Sequence, residues 1–116
     1  MNEADLNRLS EMLAAALKAQ SYVYDQDRIV LDKNEMLALA VTRLLEIIGE
    51  AARNVSEETQ FKIPELPWPA IIGMRHRIAH DYLHVDYDVI WDTLIDDLPK
   101  LVKVLQRLLP PNFNGR

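Results

Sequence analysis

Between Arg75 and Tyr82 the chain reads Arg-His-Arg-Ile-Ala-His-Asp-Tyr. Two arginines, two histidines and a tyrosine fall within eight residues, and no acid interrupts them before Asp81. A guanidinium is a planar fork of donors that suits a phosphate. An imidazole can take and return a proton near neutral pH. Together they are a minimal set for breaking a phosphodiester in RNA without a metal.

The spacing sets a geometric condition. Arg75 and His80 are five residues apart, so on a straight helix they diverge by roughly 140°. They converge on one phosphate only if the helix bends or ends near His80, or if two subunits share the site. The helix carrying them is therefore expected to loosen around residues 79–83. On spacing alone a duller arrangement also fits, with Arg75 paired to a carboxylate and His80 a satisfied, partly buried histidine. Tyr82 likewise fits a core or interface tyrosine. His76, His80 and His84 repeat at four-residue steps, which on a continuous helix would suit a metal. Asp86 argues against it, because a helix N-cap there implies that the preceding helix has already ended. No metal or cofactor is expected.

Four helices should position this stretch. Asn2 to about Tyr24 carries Leu6, Leu9, Leu13 and Leu17 at helical spacing, with Ala14-Ala15-Ala16 allowing close packing. After a connection at Gln26-Asp27-Arg28, Asp32 or Asn34 can cap a second helix from about Lys33 to Val55. Its apolar face is Met36, Leu37, Ala40, Val41, Leu44, Ile48, Ala51, Ala52 and Val55. Gly49 costs up to ~1 kcal/mol relative to alanine inside a helix, and close approach of another backbone would offset this. Glu46 and Glu50 flank it, one of them suited to orienting Arg75 or another arginine. Ser56-Glu57-Glu58-Thr59 can form a further short turn.

Phe61 to Pro69 reads as a loop, with Trp68 an apolar plug between two prolines. The third helix starts near Pro67–Pro69 and carries Ile71, Ile72, Met74 and Ile78 inward. Asp86 caps the last helix, which shows Ile90, Trp91, Leu94, Ile95, Leu98, Leu101, Val102, Leu105 and Leu108 and is interrupted by Pro99. Asp88, Asp92, Asp96 and Asp97 should form a solvated face, and Trp68 and Trp91 should pack rather than stack on bases. The expected fold is all-α, an up-down four-helix bundle in a single domain over residues 1–116.

Composition narrows the class. The net charge is −5, with pI near 5.1. That argues against a protein that coats nucleic acid through a broad basic face, but not against an enzyme with a small basic pocket. With no cysteine, neither disulfides nor a thiolate metal site can form. The start Met1-Asn2-Glu3-Ala4-Asp5 is unlike a signal peptide, and no stretch is long enough to span a membrane, so a cytoplasmic location is expected.

Arg, four residues, His, one residue, Tyr, as in Arg75, His80 and Tyr82, resembles the motif of the HepT-like branch of the HEPN-domain ribonucleases. Leu45-Glu46-Ile47-Ile48-Gly49-Glu50-Ala51-Ala52-Arg53 is similar to that family's second-helix signature. Leu66 to Arg75 resembles its approach to the motif, and Val85 to Trp91 its entry to the last helix. The likeness covers roughly residues 34–105. One position departs from the pattern: the residue after the motif arginine is usually asparagine, and here it is His76.

The resemblance implies a homodimeric toxin whose two motifs face a shared cleft. It implies endoribonuclease action on cellular RNA, with Arg75 and His80 catalytic; by their own chemistry His76 and Arg77 are suited to holding flanking phosphates. It also implies a partner antitoxin, a minimal nucleotidyltransferase of the MntA type, that transfers AMP onto Tyr82. A catalytically inactive HEPN-type module that binds a nucleotide or a partner is the alternative from a different class.

Overall fold

The computed structural model describes residues 1–81 and 84–110, without the side chains of residues 79–81 and 84. Helices α1 (Glu3–Tyr22), α3 (Glu35–Arg53) and α8 (Leu98–Leu108) build the core, with α1 packed on both α3 and α8. Asn2 caps α1, its side-chain oxygen accepting from the Asp5 amide at 2.7 Å. Leu9, Met12, Ala16 and Ala19 then fall on one buried face, and the two alanines let α3 come close. After α1 the chain turns at Asp25, whose φ of 62° lies in the left-handed region that aspartate tolerates better than most residues.

A single turn, α2 (Val30–Lys33), precedes α3. Asn34 is the cap of α3 and accepts from the Leu37 amide at 3.0 Å. The second helix was expected to begin at Lys33 and reach Val55; Lys33 instead closes α2, and the helix ends at Arg53. Its buried stripe is Ala38, Val41, Leu45, Ile48 and Ala52. Met36, expected on this face, is 82% exposed. Two residues before Ala38, it stands about 200° around the helix, on the opposite side.

Ser56 caps α4 (Glu57–Lys62), accepting from the Thr59 amide at 3.2 Å. The helix therefore runs into the segment expected to be loop from Phe61 onward. Trp68 is buried and donates its indole N–H to the Ile63 carbonyl at 2.9 Å, which fixes the proline-rich approach to α5 (Trp68–Ile72). Gly73 separates α5 from α6 (Met74–Ile78), where one continuous third helix was expected.

A short antiparallel pair follows, β1 (Ala79–Asp81) and β2 (His84–Val85). Apart from it, the regular structure of the described residues is helical. Asp86 caps α7 (Tyr87–Asp92) as expected, its carboxylate accepting from the amides of Asp88 and Val89. Between α7 and α8, residues Thr93–Asp97 form a π-helical turn, in which the Leu98 amide reaches back five residues to the Thr93 carbonyl. Pro99, expected to interrupt the last helix, lies in the first turn of α8 directly after this widened turn. The extra residue shifts the helical phase, so Leu94 and Leu98 are buried while Ile95, expected inward, is 46% exposed.

Candidate functional site

Gly49 explains how the motif is brought against α3. A β-carbon at this position would come within 2.9 Å of the Ile71 carbonyl oxygen and 3.4 Å of the Met74 β-carbon. The missing side chain is thus the space in which α5 and the start of α6 lie. Close approach of another backbone was the expected reason for a glycine here, and this contact bears it out.

One residue past Met74, Arg75 lines a small recess with Glu46, Gly49, Glu50, Arg53 and Ile72. Arg75 and Arg53 are both exposed, and among the described residues neither has an ion-pair or hydrogen-bond partner. Glu46 pairs instead with Arg43 of its own helix at 3.5 Å. The two glutamates share the recess with Arg75, but neither reaches its guanidinium within 4 Å among the described residues.

Arg77 is on the other side of α6, two residues and about 200° away. Its guanidinium lies 3.8 Å from the Asp97 carboxylate and 4.0 Å from the Met74 sulfur. There it lines a groove of about 460 Å³ between α5–α6 and α8, walled by Ile48, Leu66, Ile71, Met74, Leu98 and Leu101. His76 is exposed between the two arginines. The structure therefore divides the basic run: Arg75 turns to α3 and Arg77 to α8.

The helix carrying the motif ends at Ile78, which is fully buried and anchors that end. The Ile78 carbonyl accepts from the Asp86 amide at 2.6 Å, so the chain leaving α6 returns to its starting point at the cap of α7. His80 accordingly lies on β1 rather than on a helix, which meets the condition that the helix end before it. The side chain of His80 and all of Tyr82 are outside the described residues. Among the described residues no group of three or more histidines and carboxylates is arranged to hold a metal.

The acidic run of the last helix is exposed, as expected, but two of its members are paired. Asp97 meets Arg77, and Asp88 accepts from Arg28 at 2.9 Å while Arg28 also pairs with Asp32 at 2.8 Å. Trp91 packs against the core.

Sequence reasoning missed a polar cluster at the far end of α1. Asp5 is 3% exposed and accepts from the Ser56 amide at 3.0 Å, the Ser56 hydroxyl at 2.6 Å and the Thr59 hydroxyl at 2.5 Å. The hydroxyl bonds from Ser56 and Thr59 hold its carboxyl below the usual carboxylate range, against the opposing effect of burial. An acid in the first turn of a helix reads locally as a partner of the helix dipole. Its true partners are more than fifty residues away.

The chain belongs to the HepT-like ribonuclease family: the model of that family, described as "Ribonuclease HepT-like", matches residues 12–108. Among its relatives is "Putative RNase MJ1380" of Methanocaldococcus jannaschii, 34% identical over 84% of this chain and 90% of that protein. "Putative RNase TTE0752" of Caldanaerobacter subterraneus subsp. tengcongensis is 40% identical over 66% of this chain and 69% of that protein. "Probable ribonuclease HepT" of Thermococcus cleftensis is 41% identical over 60% of this chain and 63% of that protein. No solved structure matches the chain significantly. No helix among the described residues is long and apolar enough to cross a membrane.

Proposed function

We propose that this protein is a metal-independent endoribonuclease of cellular RNA, either tRNA or mRNA, and the toxin of a toxin–antitoxin pair. The observation that carries the reading is the end of α6 at Ile78, two residues before His80. It removes the helical phase that would keep the imidazole away from the Arg75 guanidinium. Family membership and the names of the relatives support the same activity.

In this reading Arg75 binds the scissile phosphate and stabilises the charge that grows on it. His80 moves the proton at the ribose 2′-oxygen or the leaving oxygen. The 2′-oxygen attacks phosphorus, the bond to the 5′-oxygen breaks, and that oxygen leaves with a proton. The products are a 2′,3′-cyclic phosphate and a 5′-hydroxyl. His76 and Arg77 hold flanking phosphates, Arg77 after giving up its contact with Asp97.

The working form in this reading is a homodimer of up-down four-helix bundles in the cytoplasm, with two motifs facing one cleft. A minimal nucleotidyltransferase antitoxin transfers AMP from ATP to Tyr82. The tyrosine oxygen attacks the α-phosphorus and pyrophosphate leaves. The added anion competes for Arg75 and excludes RNA.

Inducible expression tests this directly. Wild type should slow growth and fragment RNA, and Arg75→Ala and His80→Ala should do neither. A wild type that leaves growth and RNA untouched removes the nuclease reading. Mutants as toxic as wild type remove the residue assignment. Incubation with the antitoxin and ATP should raise the intact mass in whole AMP steps, and Tyr82→Phe should abolish the increase.

A further inference from the structure

We infer that Arg53, on α3, is a second RNA-phosphate ligand that works beside Arg75. The inference rests on the nuclease reading and adds a residue to its substrate site.

The argument begins with the contents of the recess. Arg53 and Arg75 line it from different elements, α3 and α6, with Gly49 as the close contact between those elements. Among the described residues neither guanidinium is committed to a carboxylate, although two glutamates line the same recess. Glu46 is drawn off by Arg43. Within the recess Arg53 and Arg75 stand against Glu46 and Glu50, and the pairing of Glu46 with Arg43 outside it offsets one of those two negative charges, on a chain whose net charge is −5.

An exposed arginine near a glutamate is usually free to pair with it on the surface. Two that do not pair, yet line one recess, leave two forks of donors open to an anion with several acceptor oxygens. The phosphodiester backbone of RNA is such an anion. If Arg75 holds the scissile phosphate, a strand lying along α3 brings a neighbouring phosphate to Arg53. This explains how an acidic protein can bind a polyanion: the attraction is local and comes from α3 as well as from the motif.

The spacing on α3 supports a shared face. Glu46, Glu50 and Arg53 follow one another at steps of four and three residues, so they stand along one side of the helix. Arg53 is the last residue of α3, where a cation is also favoured by the helix dipole. That placement keeps it on the surface without needing a carboxylate partner.

The test is binding of a mixed-sequence, fully 2′-O-methylated RNA oligonucleotide, which cannot undergo 2′-oxygen attack. Affinity is measured from low to moderate salt for wild type, Arg53→Ala, Arg53→Lys and Arg75→Ala, with a thermal melt of each. Arg53→Ala should weaken binding on the order of ten-fold at low salt. It should also reduce the slope of log affinity against log salt by about 0.7, the value of one phosphate on a single strand. Arg53→Lys should restore the slope and part of the affinity, since charge returns without the fork. The melting temperatures should agree.

If wild type binds and Arg53→Ala matches it in affinity and slope, the inference is wrong while the nuclease reading stands. A merely structural Arg53 would lower the melting temperature and leave the salt slope unchanged, which also overturns it. If wild type neither binds this RNA nor cleaves unmodified RNA, the nuclease reading fails and the inference falls with it.

Discussion

Gly49 of α3 and Ile71 of α5 meet so closely that the glycine has room for no side chain: its β-carbon would be 2.9 Å from the Ile71 carbonyl oxygen. Gly49→Ala therefore sets two effects against each other. Helix propensity favours alanine by up to ~1 kcal/mol. The obstacle is a backbone oxygen that no rotamer change can move, and overpacking of this kind typically costs about 1–3 kcal/mol. We expect a net loss, seen as a lower melting temperature and a lower urea midpoint. Cleavage should fall as well, because α6 and Arg75 move with α5. A more stable alanine variant would show that the helices separate without cost.

Asp5 should make stability sensitive to acid. Its carboxyl is held below the usual carboxylate value by the hydroxyls of Ser56 and Thr59. Below that usual value, about 3.9, the unfolded chain binds a proton that the native state still refuses. The stabilisation is fully present above that pH and is lost as pH falls through the depressed value in the folded state. Urea unfolding of wild type between pH 7 and pH 3 should show this loss, and Asp5→Asn should show a shallower dependence. At pH 7, Asp5→Ala leaves both hydroxyls without their acceptor and should cost about 1–3 kcal/mol.

Trp68→Phe should separate packing from hydrogen bonding at the entry to the site. The ring would still fill the plug, but the Ile63 carbonyl would lose the shorter of its two hydrogen bonds and keep only the Leu66 amide at 3.3 Å. Loss of one hydrogen bond at an acceptor that keeps another costs about 0.5–1.5 kcal/mol. Chemical denaturation measures it. An unchanged midpoint would mean that water replaces the indole.

The two motif arginines should respond unequally to alanine. Arg75 stands in the recess beside α3, and its loss should lower RNA cleavage by roughly 10²–10³-fold, as for removal of a donor to developing charge. Arg77 faces Asp97 at the edge of the other groove, through an exposed pair that contributes at most about 1 kcal/mol. Arg77→Ala should leave stability nearly unchanged and weaken RNA cleavage far less than Arg75→Ala. Equal losses would contradict the division of α6 into two faces.

What could be read from the sequence was governed by local chemistry. Asn34, Ser56 and Asp86 announce helix starts because a short polar side chain satisfies amides two or three residues ahead. Gly49 announced a close contact because nothing within its own helix favours it. The ending of the motif helix followed from the phase of Arg75 and His80 together with the cap at Asp86. Distant partners were not legible. Asp5 is an ordinary first-turn acid until residues 56–59 fold over it. Met36 and Ile95 looked like core residues because apolar identity was read without the phase that Ala38 and the π-helical turn impose. The proposed catalytic site is split the same way: Arg75 is placed, while the His80 side chain and Tyr82 lie outside the described residues.

The contact between Gly49 and Ile71 also has a bearing on how the chain can change in length. From that fixed point only three residues, Ile72, Gly73 and Met74, lead to Arg75. Deleting one of them would turn the arginine about 100° out of the recess, and inserting one would turn it as far the other way. The connection around Asp25 has no such duty, being exposed and remote from the motif in sequence. Gains and losses of residues among functional descendants should therefore collect near Asp25, while the interval from Ile71 to Arg75 keeps its length even where its residues are exchanged.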